Sequence, residues 1–199
     1  MSTGRLEAFS DGVIAIAITL LVLDIHVPGP EEGRSLAGAL GRQWPEYVAY
    51  AVSFLTIGVI WVNHHAMLRR LAAANHTVLV LNVLLLMTIA LLPFTTALMA
   101  VYLRSGHGDH LAAAIYAGSF LTMGVTFFAM QRYVLFGAGG ALVQSTIDQA
   151  ARDRIRRRNQ AGLVPYAVAV ALAPLSAYAT FAVCGAVALF YAWPTTTSE

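Results

Sequence analysis

The chain contains no lysine, and all 12 of its Lys-plus-Arg cations are arginine. It has a single cysteine, Cys184, which excludes an intrachain disulfide and a Cys-paired zinc site. Charged residues make up only 11% of the 199 residues, where ordinary soluble domains carry about 25%. That deficit excludes a surface that faces water all round. A nucleic-acid partner is excluded too: Arg152, Arg154, Arg156, Arg157 and Arg158 cluster, but without interleaved aromatics or a binding fold around them. Such a juxtamembrane run sets topology and meets anionic lipid headgroups. No T-V-G-Y-G stretch occurs, so a carbonyl-cage potassium filter is absent. No nucleophile–base pair or H-E-x-x-H spacing points to an enzyme, and no cofactor is implied. His64 and His65 diverge by about 100° on a helix and cannot easily share a metal ion.

Hydrophobic residues, by contrast, account for 58% of the chain. Several apolar runs approach the ~20 residues needed to cross a bilayer core. The expected class is an all-α, multi-pass membrane protein, with the lipid bilayer as its first partner. The first run is too long for a signal-peptide core and carries Glu7 and Asp11 at its start, so it is expected to be a retained helix.

Breakers and polar links divide the chain into six predicted helices, about 6–27, 45–68, 76–103, 110–136, 156–173 and 175–193, in one domain covering 1–199. Pro28, Gly29 and Pro30 stop the first, and Glu31, Glu32 and Arg34 follow in a polar loop. Pro45 opens the second, a favoured first-turn position. Pro93 should kink the third or mark its outer third. Pro174 separates the last two, with one kinked, tilted helix over that stretch as the alternative. In a six-span arrangement Arg5, Arg69, Arg70, Arg132 and the Arg152–Arg158 cluster share one side, which the positive-inside rule makes cytoplasmic, with both termini. The other side collects Asp24, Glu31, Glu32, Glu46 and Asp109, a mildly acidic face that concentrates cations.

The stretch with most information is Arg5 to Asp24. A polar segment, Arg5-Leu-Glu-Ala-Phe9-Ser10-Asp11, runs straight into an aliphatic helix. Polar and ionisable groups at that depth are costly and tied to function. Helical geometry places Ile16, Leu20 and Leu23 on one stripe and Asp11 about 140° away from it. Ser10 and Asp11 are therefore expected to make internal hydrogen bonds rather than to bind ions. Thr19 lies about 60° off the stripe.

The spacing Arg5, Phe9, Ser10, Asp11 resembles the R-x-x-x-F-S-D signature of the transmembrane protein 175 family, potassium-conducting channels of endosomes, lysosomes and bacteria. Trp61, Asn63 and His64 are similar to a Trp-x-Asn-His stretch on that family's second helix. With one signature, the chain resembles the bacterial form, which implies a homotetramer in a bacterial cell membrane with each first helix lining a central pore. The resemblance implies a constriction at Ile16, with Leu20 and Leu23 as the next layers outward. Thr19 would sit beside the pore and Asp24 at an acidic entrance. Trp61, Asn63, His64 and His65, with His76 and Asn82 from the third helix, would hold the signature. Arg5 would pair with an acidic group or a helix end, and Phe9 would wedge between helices. The implied activity is conduction of monovalent cations with modest K+ over Na+ selectivity, proton permeation being left open. A secondary transporter of a small cation or solute is the alternative; it calls for inverted repeats and broken helices, which the sequence does not display.

Overall fold

The computed structural model describes residues 3–29, 35–137 and 149–192. Pro30, Glu31, Glu32, Arg34, the glycines after Gly137 and Trp193 lie outside them. The architecture among these residues is all helical: α1 (Thr3–Leu20), α2 (Leu36–Arg42), α3 (Trp44–Leu68), α4 (His76–Ala90), α5 (Leu92–Tyr102), α6 (Asp109–Phe136), α7 (Gln149–Leu172) and α8 (Ala177–Ala192). Among the described residues, four stretches are long and apolar enough to span a bilayer: Thr3–Asp24, Trp44–Leu68, His76–Tyr102 and Asp109–Phe136. The shortest has 22 residues, or about 33 Å of helix against a hydrocarbon core of about 30 Å. Shorter apolar α8 and the arginine-bearing α7 complete the subunit.

Local chemistry explains most boundaries. Pro45 falls in the first turn of α3, where its missing N–H costs nothing. Asn75 caps α4, its side chain accepting from the Val78 N–H at 3.0 Å. Ser176 does the same for α8, accepting from the Ala179 N–H at 3.1 Å after the short turn at Pro174. Gly108, at φ 73°, supplies the left-handed residue before α6.

Three features differ from the sequence-based outline, and a fourth follows it. The first helix stops short of residue 27, tightening into a 3-10 turn over Leu21–Asp24 before an extended Ile25. The loop before α3 contains the extra helix α2, started by a Ser35 cap to the Gly38 N–H. The third predicted helix is broken as expected of Pro93, at Leu91, two residues before the proline, which has no N–H to continue the ladder. Finally, α7 starts at Gln149, well before residue 156, and carries Pro165 in its interior. Its charged first half is supported by an Asp153–Arg156 pair at 3.1 Å and by Arg156 lying 5.4 Å over the Phe136 ring.

Central α6 packs on α4, α5, α7 and α8, burying Tyr116, Phe120, Met123 and Met130. The apolar interior holds a hydroxyl cluster: Ser53 Oγ lies 2.8 Å from Thr96 Oγ1 and 3.1 Å from the Tyr116 hydroxyl. Each is buried and satisfied, as polar groups without access to water must be. α1 packs on α3, α4 and α5, at the edge of the subunit.

Candidate functional site

α1 has two faces of opposite character. Leu6, Ser10, Ile14 and Ala17 point inward, and Leu21 continues that line into the 3-10 turn. These spacings of three and four residues make one helical stripe. The opposite stripe is open: Phe9 is 56% exposed, Ile16 61%, Leu20 43% and Leu23 74%. A soluble helix would present polar groups there. This one presents large aliphatics, and Gly12 and Thr19 lie exposed among them. The Thr19 hydroxyl donates to the Ile16 carbonyl at 2.8 Å, turning its oxygen back onto the helix. Asp24 is exposed at the end of the 3-10 turn.

The inward face is tied to α3 and α4 by polar contacts at three levels. In the middle, Asn82 bridges the helices. Its Nδ2 donates to Ser10 Oγ at 3.0 Å, and its Oδ1 lies 2.8 Å from His64 Nε2. A carboxamide oxygen only accepts, so His64 Nε2 carries the hydrogen and donates. Ser10 Oγ in turn donates to the Leu6 carbonyl at 2.8 Å. The polarity runs one way through the chain, from His64 to Asn82 to Ser10 to Leu6. All three side chains are fully buried. His64 Nδ1 is left with no partner among the described residues, which suits the bare nitrogen of that neutral tautomer.

Beside this bridge, Trp61 Nε1 donates to Asp11 Oδ1 at 2.8 Å. One turn further toward the α3 carboxyl end, His65 Nδ1 lies 2.8 Å from Glu7 Oε1. Glu7 and Asp11 are four residues apart on α1, and Trp61 and His65 are four apart on α3. Antiparallel helices with matched i, i+4 stripes set the two carboxylates opposite the indole and the imidazole. The Trp61 and His65 rings stand 6.0 Å apart along this seam. Glu7 was missed from sequence as a partner. Its signal was this shared i, i+4 spacing.

Other expected members lie elsewhere. Asn63 faces the far side of α3: its Nδ2 donates to the Val59 carbonyl, and it lines a cavity toward α6 and α8. His76 is exposed in the first turn of α4, and its neighbour Asn75 takes the capping role. Arg5 and Phe9 are exposed on the open side of α1, so within one subunit Phe9 does not wedge between helices. The reason is angular: both lie near the open stripe, well away from Ser10. No group of three or more His, Cys, Asp or Glu able to hold a metal occurs among the described residues.

Residues 5–93 match the family model described as endosomal/lysosomal potassium channel TMEM175. A potassium channel of Streptomyces collinus is 44% identical over 189 residues, spanning 95% of this chain and 91% of its own length. The chain belongs to the TMEM175 family. That makes it a multi-pass membrane protein of an ion-channel family rather than an enzyme. The solved TMEM175 homolog from Chamaesiphon minutus, a lysosomal potassium-selective channel homolog, is similar with a TM-score of 0.85 at 39% identity, covering 96% of both chains. The mouse endosomal/lysosomal proton channel TMEM175 is 38% identical over 117 residues, which is 55% of this chain and 23% of the mouse protein. The family match thus covers the α1, α3 and α4 segments that carry the polar seam.

Proposed function

We propose that this TMEM175-family chain is a potassium-permeable cation channel of a bacterial cell membrane. It works as a homotetramer, each subunit crossing the membrane six times with both termini in the cytoplasm. The first helix of every subunit lines a central pore. The observation that carries this reading is the open aliphatic stripe of α1, set opposite a face anchored to α3 and α4. One helix cannot enclose a pore, but cyclic symmetry around its open face can. The anchors fix the rotation of α1, so every copy offers the same residues to the axis. Ile16 forms the narrowest ring, Leu20 and Leu23 the layers outward, Thr19 a flank of the pore wall and Asp24 part of an acidic entrance.

An aliphatic ring of this kind gates by expelling water, because an ion there gains no ligands to replace its hydration shell. Opening therefore requires the rings to widen or turn. Without a carbonyl cage, selectivity for K+ over Na+ should be modest. Protons are a further permeant candidate, since the mouse relative is named a proton channel.

The test is bilayer recording of the purified protein in asymmetric potassium and sodium, with Ile16→Ala and Asp11→Ala beside the wild type. Unitary currents reversing toward the potassium potential, with conductance or selectivity altered by Ile16→Ala, are expected. Asp11→Ala should impair assembly or opening instead. Saturable flux without unitary currents would sink the channel reading and promote a secondary transporter.

A further inference from the structure

On the side of α3 away from α1, a half-open cavity of about 80 Å³ lies between α3, α6, α7 and α8. α8 packs on α3, α6 and α7 around it. Aromatic and thioether side chains, Phe120, Met123, Phe127, Phe128 and Tyr166, share its wall with the aliphatic Val59, Ile60 and Leu163. The polar groups on it are uncharged, among them the Asn63 carboxamide, the Thr56 hydroxyl and the Tyr191 hydroxyl. No charged side chain lines it. The Tyr191 hydroxyl stands at Gly162 and makes no hydrogen bond to the other described residues. Two glycines keep the space open. A Cβ at Gly124 would come within 2.8 Å of Leu163 Cδ2, and one at Gly162 within 3.1 Å of the Tyr191 oxygen.

We propose that this cavity binds a small neutral aromatic alcohol, a single ring with one hydrogen-bonding hydroxyl, and that occupancy acts on conduction through α3. The ring suits the aromatic wall, where edge and offset contacts hold flat groups. The hydroxyl suits the Tyr191 hydroxyl, which no other described residue engages by a hydrogen bond. An ionised ligand is disfavoured, because no countercharge would offset its desolvation. A closed apolar cavity of about 150 Å³ takes benzene; this smaller space, open on one side, takes part of a ring and leaves the rest in the opening. α3 is the link to the pore: Asn63 lines the cavity, and the adjacent His64 and nearby Trp61 hold α1.

The effect on conduction rests on the channel reading, whereas binding does not. The probe is 4-bromophenol, used with the full oligomer. Crystals soaked in it should show bromine anomalous density between Phe127, Asn63 and Tyr191. In bilayers the probe should shift open probability, and Gly124→Ala or Gly162→Ala should weaken that response about tenfold, the usual effect of one misplaced methyl in an apolar pocket. In the second variant only the tip of Tyr191 must yield, which keeps the test available if the first fails to assemble. Bromine density confined to the pore or the lipid-facing surface would overturn the site, as would unchanged dose–response curves in the filled variants. If the wild type carries no current at all, the channel reading fails, and the bromine density still decides the binding site.

Discussion

Asn82 is the residue on which the seam depends. It is fully buried, and both ends of its carboxamide are used, one on Ser10 of α1 and one on His64 of α3. Asn82→Leu keeps the volume and removes both bonds. The buried His64 N–H is then orphaned, which costs about 1–3 kcal/mol. The expected outcome is a clear fall in melting temperature of the detergent-solubilised protein; an unchanged melting curve would show that the bridge contributes nothing. Asp11 is a different case, half-buried and bonded to the Trp61 indole. Its bond needs an acceptor, not a charge. Asp11→Asn should therefore retain most channel activity and Asp11→Leu should lose it; equal loss in both would mean that the carboxylate charge itself is required. Ser10 and Asp11 stood out in the sequence because polar groups are anomalous beside an aliphatic run. Their partners stood out less. Asn82 lies 72 positions from Ser10, and nothing local marks Asn82 as a partner while leaving Asn63 out.

At the scale of the element, α1 separates packing from exposure residue by residue. Ile14 is 1% exposed and Ile16, two positions on, is 61% exposed. Truncating the buried one should cost about 2–5 kcal/mol, since the space it leaves cannot refill. Ile14→Ala should accordingly lower thermal stability, while Ile16→Ala should leave stability nearly unchanged and alter conductance. The reverse pattern, read from melting curves and single-channel records together, would mean that α1 is rotated from the position described. Spans were legible because hydropathy is a property of a short window. The extra helix α2 was not, because its seven residues depend on one Ser35 cap. The early start of α7 was also hidden: a charged stretch reads as loop until a neighbour supplies a surface, here Phe136 beneath Arg156.

For the whole molecule, the open stripe of α1 predicts how copies meet. The native Cys184 is fully buried in α8, so engineered cysteines can be read against an inert background. Ile16→Cys and Leu23→Cys should cross-link between subunits under mild oxidation, and Ile14→Cys should not. Denaturing gels check this directly. Absence of any Ile16→Cys cross-link in an intact oligomer would place the assembly axis elsewhere.

The class of the protein, the main spans and the alignment of Ile16, Leu20 and Leu23 on one stripe were determined by the sequence alone. Each follows from transfer energies and helical period, which are local. Helix rotation and partner choice were decided by the tertiary structure: Glu7 facing His65, Asn82 rather than His76 in the bridge, and Asn63 turned toward a separate cavity. A single sequence leaves these open because a buried polar group demands a partner without specifying one, and only the packed helices bring donor and acceptor within 3 Å.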